Sequence, residues 1–358
     1  MKFNLTYGPD IASAPAGFKA TVEAVAAFFE STFTDPVTIN VKVERGLTGG
    51  LLGHSEYTLT GPYTYAQITS ALAKDSQTGS DAIALAALPA ADPIPDPHAY
   101  YMTPAQAKAL ALLGPSDALD GTVQFADNPP FDYDRSNGIT PGFYDFYGSV
   151  AHEFSEVMGR ELNAIGNEVQ TGAPNGYYPF DLFKYSAAGV RTFVGTTDGY
   201  FSPDGGVTNL NNFNTDSDDD FGDWAASAGN DSFLAFSSSG VLNAVTATDI
   251  VAMDVIGWNA APGSGGLVAL LGHGGGGVRR RCRGRRAAAR AGHHAPVDIE
   301  WDWRAPRNRS LVYRDRPRRG HRPLHGPDRH SRFWRNRLAP RLTPAPTSRL
   351  ARAHVTAR

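Results

Sequence analysis

From Pro15 to Phe33, apolar residues return every three or four positions, at Phe18, Val22, Val25, Ala26 and Phe29, which predicts an amphipathic helix. Asp35-Pro36 ends it, and the alternation of Val37, Ile39, Val41 and Val43 predicts a strand with one buried face. A helix near Tyr65 to Lys74 follows, then Asp81 to Leu88 as a short helix or strand. Thr103-Pro104 provides an N-cap and a proline at the first helical position, opening a helix through Leu113. Thr122 to Ala126 reads as a short strand stopped by Asn128-Pro-Pro, and His54, after Gly49-Gly-Leu-Leu-Gly53, reads as a loop residue. Past the middle of the chain, Val190 to Val194 and Gly199 to Leu210 read as strands, the latter with a Pro-Asp-Gly-Gly turn. Thr246 or Thr248 caps a closing helix, Asp249 to Ile256, which Gly257 terminates.

A further helix, from Pro141 or Gly142 to Met158, carries the candidate chemistry. Tyr147, Val150, Ala151, Phe154, Val157 and Met158 form one broad apolar stripe, while His152, Glu156 and Gly159 form a second, narrow one. At about 3.6 residues per turn, His152 and Glu156 stand one above the other with Glu153 beside His152. This is the layout of H-E-x-x-H, in which the end residues hold a metal and the inner Glu moves protons. Glu156 stands where the second His would be, so carboxylate oxygen replaces imidazole nitrogen at the metal or the site is a relic. As a structural alternative, His152 is an ordinary ion-pair partner of a helix carboxylate.

Charge divides the chain near Gly263. Before it, 10 basic residues face 31 acidic ones, a net charge of −21; after it, 23 basic residues, all Arg, face 5 acidic ones, a net of +18. Domain boundaries are therefore placed at 1–262 for a folded body and 263–358 for a Gly/Arg-rich, low-complexity tail. That tail has no apolar periodicity with which to offset chain entropy, so it is expected to be disordered. Its abrupt onset after Gly274-Gly-Gly-Gly277 reads as a GC-rich message translated in a shifted frame; the alternative is a basic arm that binds nucleic acid or another polyanion. Nothing in the acidic body suggests nucleic-acid binding.

The single Cys, Cys282, and seven of the ten His lie in the tail, leaving the body cysteine-free with three His. No N-terminal signal pattern follows Met1-Lys-Phe-Asn-Leu-Thr, and no 18-residue apolar run is present. The expectation is a body secreted without an N-terminal leader, with the cytoplasm as alternative, and without a membrane span.

The element order and the segment His152-Glu-x-x-Glu-Val-Met-Gly-Arg160 resemble the zincin metalloproteases, in particular their metzincin-like bacterial branch. Pro179-Phe-Asp-Leu-Phe-Lys-Tyr-Ser186, Asn209-Leu-Asn-Asn-Phe-Asn214, Phe221-Gly-Asp-Trp224 and Asp254-Val-Ile-Gly-Trp258 belong to the same resemblance, which spans about residues 1 to 260. It implies an α+β fold, a twisted mixed sheet packed on helices that include the active-site helix. It also implies zinc-dependent hydrolysis of protein or peptide substrates, with Glu153 as general base. Departures from H-E-x-x-H-x-x-G-x-x-H are Glu156 at the second ligand position and Leu162 at the third; Gly159 keeps its place and no Met-turn is evident.

The expected metal ligands are thus His152, Glu156 and Asp181, because zinc accepts carboxylate oxygen at about 2.0 to 2.2 Å and zincin relatives with an acidic third ligand take it from downstream. Asp181 sits among Pro179, Phe180, Leu182 and Phe183, where an uncompensated carboxylate is costly. The alternatives for these two downstream acids are a capped core carboxylate for Asp181 and a solvated Glu161 as a weaker ligand candidate. Tyr185 is a candidate for oxyanion stabilisation by analogy. Asp216-Ser-Asp-Asp-Asp220 has the alternate spacing of a calcium loop without its usual Gly and distal Glu, so a solvated loop is preferred over a calcium site. Two function classes compete with the peptidase: a catalytically inactive zincin-like surface or matrix binding module, and polyanion binding through the tail.

Overall fold

The computed structural model describes residues 1–162, 175–216 and 220–264, and the backbone of 352–357. By its internal contacts the chain divides into Met1–Gly276 with Ser348–Arg358, and Gly277–Thr347; the second unit lies outside the described residues, as do the expected disorder, shifted frame and polyanion arm of the tail. The first unit is mixed α+β, with several helices and both parallel and antiparallel strand pairs.

Its central sheet has five strands in the order β1 (Lys2–Tyr7), β2 (Thr38–Leu47), β6 (Gly121–Ala126), β3 (Gly53–Thr58) and β14 (Arg352–Ala357). β1, β2 and β6 run parallel, whereas β3 pairs antiparallel with β6. The predicted alternation holds in β2, where Ile39, Val41 and Val43 are buried. α1 (Phe18–Thr32) connects β1 to β2 and buries Phe18, Val22, Val25, Ala26 and Phe29, the stripe read from the sequence. Phe3 of β1 stacks on Phe154 of the motif helix, with ring centroids 4.8 Å apart, so strand, helix and motif share one core.

Capping chemistry sets most helix starts. Thr64 with Gln67 boxes α2 (Tyr65–Asp75), Thr78 with Asp81 boxes α3 (Gly79–Ala87), and Thr246 with Asp249 boxes the closing helix α6 (Ala247–Val255). Thr103 caps α4 (Pro104–Ala109), which is shorter than expected because Ala111 turns to a φ of 53°, in the left-handed region. The motif helix α5 (Phe146–Val157) also starts later than expected. Asp145, just before it, is drawn into a two-stranded pairing of β8 (Tyr144–Asp145) with β7 (Phe131–Asp132), and its Oδ2 is held by Arg135 at 3.1 Å.

The strands expected at 190–194 and 199–210 contract to β11 (Val190–Arg191) and β12 (Tyr200–Phe201), because Asp204 folds the intervening chain by accepting from Thr208 N at 2.9 Å and Ser202 Oγ at 2.7 Å. β11 and β12 flank β10 (Lys184–Ala187) in a small antiparallel sheet that ends in β13 (Asn211–Asn212). Two expectations are corrected. Gly53 to Thr58, including His54, is a strand rather than a loop. Arg352–Ala357, expected to be unstructured, runs antiparallel along β3; strand addition satisfies backbone groups and needs no side-chain period. Among the described residues no helix is long and apolar enough to cross a membrane.

Where α2, α3 and α6 meet, Asn259 Nδ2 donates to Asp35 Oδ1 at 3.0 Å and to Asp75 Oδ1 at 2.9 Å, and Thr78 Oγ1 donates to Asp254 Oδ2 at 2.6 Å. Burial first, and neighbouring carboxylates next, push Asp75 up to about 7 and Asp254 to about 6. Both groups bind a proton more tightly folded than unfolded. Their contribution to stability is therefore whole below the ordinary Asp value of 3.8 and disappears as pH rises through about 6 and about 7. The melting temperature is expected to fall between about pH 5 and about pH 8, and Asp75→Asn to flatten the upper part of that slope. A melting temperature that rises over this interval contradicts the assignment.

Candidate metal centre

α5 is buried around its whole circumference, with His152, Glu153 and Glu156 all 3% exposed or less. One flank lies under β3, whose inward positions alternate as Gly53, Ser55 and Tyr57. A Cβ on Gly53 would come within 2.9 Å of Glu153 Cγ and closer still to its carboxyl, so only glycine lets the strand pass at this distance. Two residues on, Ser55 Oγ donates to Glu156 Oε2 at 3.0 Å.

The opposite flank meets two irregular segments. Ser232 presents its backbone oxygen 2.9 Å from His152 Nδ1. With Nδ1–H donating there, Nε2 carries the proton that titrates, and on its loss the Nε2 lone pair is the one open to a metal. Nε2 lies 2.9 Å from Glu156 Oε1 and 3.4 Å from Asp223 Oδ1, yet it makes no aligned hydrogen bond. Asp223 is placed by its neighbour: Trp224 donates Nε1–H to Asp249 Oδ1 at 2.7 Å and its backbone N–H to Phe233 O at 2.8 Å.

Arg160 closes the cluster from the end of α5. Gly159, with φ 104°, ends the helix and packs on Gln106, which turns Arg160 back into the core. Its guanidinium donates to Ser155 Oγ at 2.8 Å, Gly222 O at 3.1 Å and Glu156 Oε1 at 3.3 Å, pairs with Asp223, and lies 4.6 Å over the Phe233 ring.

The charges can be balanced from these contacts. Burial alone would lower His152, but Asp223 and Glu156 outweigh it and raise its pKa. Burial likewise opposes ionisation of Glu156, yet His152 and Arg160 hold its carboxyl below the usual range. Glu153 is pushed well up, first by burial and then by Glu156; Glu161 is pushed up by burial, Glu156 and Asp220. Asp223 is raised by burial against the pull of His152 and Arg160. Both Glu153 oxygens and Asp223 Oδ2 are buried without a hydrogen-bond partner. An imidazole that offers a lone pair once deprotonated, two facing carboxylates and orphaned buried oxygens form a donor set suited to a divalent cation.

Among the described residues, ligand atoms of His152, Glu153 and Glu156 converge within 4.8 Å, and so do those of Glu156, Asp220 and Asp223. Asp181 is in neither group. It caps the turn Pro179–Phe183 by accepting from Tyr178 N at 2.8 Å, so the backbone satisfies it in its apolar setting. The downstream carboxylate that lies near His152 Nε2 is that of Asp223, at 3.4 Å, whose sequence signal lay in Phe221-Gly-Asp-Trp224 but not in any spacing from the motif.

Comparison with protein-family models, with curated proteins and with solved structures finds no match. The chemistry therefore rests on the residues themselves.

Other sequence expectations change too. Glu161 is 2% exposed rather than solvated. Tyr185 is buried in β10 with Arg191 4.7 Å over its ring. Of the acidic loop 216–220, positions 217–219 lie outside the described residues, while Asp220 joins Glu156 and Asp223. Met253 and Trp258, in contrast, are core residues as expected, Trp258 donating Nε1–H to Met158 O at 2.8 Å.

Proposed function

We propose that the chain is a metal-dependent peptide hydrolase of zincin-like architecture, in which His152, Glu156 and Asp223 hold the ion and Glu153 handles protons. The supporting observation is the convergence of His152 Nε2 on Glu156 Oε1 and Asp223 Oδ1, 2.9 and 3.4 Å away, with the tautomer set by Ser232. The antiparallel strand β3 running beside the motif helix supports the architectural part of the reading.

A zinc ion bound there would acidify a water molecule and polarise an amide carbonyl. Glu153 is the residue equipped to accept that proton and return it to the departing nitrogen. It follows His152 directly, and burial beside Glu156 raises its affinity for a proton; a cation in the site would favour the ionised form that acts as base. Arg160 holds Glu156 and Asp223 in place and favours their ionised forms. With two carboxylates and one imidazole, the donor set also suits harder ions such as manganese.

One observation favours a second reading, the non-catalytic binding module on the same scaffold. His152, Glu153, Glu156 and Asp223 are each 3% exposed or less, so a peptide reaches them only if the surrounding chain opens. Metal content separates either metal-bound reading from a relic. The tail's seven His can bind zinc themselves. The measure is thus the difference between the full-length protein and its His152→Ala variant, expected to be one ion per chain. Equal metal content in the two proteins would overturn the proposal.

A further inference from the structure

Beside the His152 site lies a second group of oxygens that the hydrolase reading does not use. Glu156, Asp220 and Asp223 bring carboxylate oxygens within 4.8 Å of one another, and no nitrogen ligand belongs to the group. A cluster of acids is common on protein surfaces, but this one is largely internal: Glu156 is 1% exposed and Asp223 0%. Glu161, 2% exposed, packs against the segment that carries Asp220 and Asp223, where a Cβ on Gly222 would lie 3.5 Å from Glu161 Cα. The hydroxyls of Tyr57 and Tyr178 are buried there too, Tyr57 lying between the Glu161 carboxyl and the Tyr178 hydroxyl as a partner for both. Asp223 Oδ2 has no such neighbour, and a buried oxygen of this kind is normally satisfied.

We propose that Glu156, Asp220, Asp223 and Glu161 form a second, oxygen-only cation site of the calcium class, adjacent to the His152 site and sharing Glu156 and Asp223 with it. This rests on the reading of those two residues as metal ligands. Hard cations take oxygen donors in large number and flexible geometry, which suits carboxylates on α5, its C-terminal turn and the segment at 220–223, with phenol oxygens alongside. In this arrangement the pair of ions is bridged by carboxylates, the shared ligands fix the spacing, and the second ion holds the 220–223 segment against the motif helix.

The test uses the full-length protein freed of metal and titrated with terbium, a luminescent stand-in for calcium that tyrosines and tryptophans close by sensitise. Sensitised emission saturating near one equivalent and displaced by calcium is expected. Asp220→Asn, at a partly exposed position, and Glu161→Gln, of unchanged shape, are each expected to weaken it by at least about tenfold. His152→Ala is expected to retain it while losing its zinc. Absent emission in the unmodified protein, or unchanged titrations in both carboxylate variants, overturns the second site. Loss of the terbium signal in His152→Ala while the motif helix stays folded merges the two sites into one and also overturns it. Terbium binding without any His152-dependent zinc would instead overturn the hydrolase reading alone.

Discussion

Glu153→Gln is expected to lower the rate of casein cleavage by at least about a hundredfold while leaving the fold intact, since a positioned general base contributes roughly 10²- to 10⁴-fold. The second half of this outcome follows from the apo geometry. Glu153 is fully buried, and burial beside Glu156 favours its protonated form, which an amide matches in shape and charge. The contact with Gly53 is also preserved, because the side chain keeps its length. Rates and thermal melts on the same preparations give the answer. Unchanged cleavage removes Glu153 from the base role. An unmodified protein that holds one His152-dependent ion and cleaves nothing supports the binding-module reading instead.

Arg160→Met is expected to cost about 3 to 5 kcal/mol of folding stability, the range for removing one partner from a buried ion pair. Its side chain is fully buried between Glu156 and Asp223, and the loss strands two carboxylates where water cannot replace the guanidinium. Arg160→Lys keeps the charge but lacks the planar fork that reaches Ser155 Oγ, Gly222 O and both carboxylates together, so it is expected to recover part of the loss. A divalent cation added to Arg160→Met should restore stability further, because it supplies the missing positive charge to the same oxygens. Denaturant midpoints for the three proteins, with and without metal, check this. A midpoint unchanged in Arg160→Met would mean that Glu156 and Asp223 are neutral without it.

The two expectations are linked through the same few atoms. Under the proposed reading, Arg160 and a metal ion would compete for Glu156 Oε1 and Asp223 Oδ1, since both would serve the same electrostatic need. Arg160 favours the charged form of each carboxyl, enough to hold Glu156 below the usual range but not Asp223, which burial still raises. Glu153 and Glu161 lack that help and are driven toward protonation. One helix and its final turn thus carry carboxyls with opposite tendencies, Glu156 ionised and Glu153 a proton carrier.

The sequence by itself determined the features that depend on near neighbours along the chain. The stripe Phe18 to Phe29, the alternation Ile39 to Val43, the caps at Thr103 and Thr246, and the turn-spaced His152, Glu153 and Glu156 all follow from local period or local hydrogen bonding. Tertiary structure alone decided what those residues meet. Asp223 rather than Asp181 faces His152 because Trp224 is pinned by Asp249 and Phe233, while Asp181 is consumed by the backbone of its own turn. Glu161 is internal because Gly159 turns the chain inward, and Gly53 to Thr58 is a strand because β6 offers it an edge beside the motif helix. These outcomes depend on registers between segments far apart in the chain. A register is set by the sum of core packing and paired backbone groups over the whole sheet, and no local pattern of side chains encodes it.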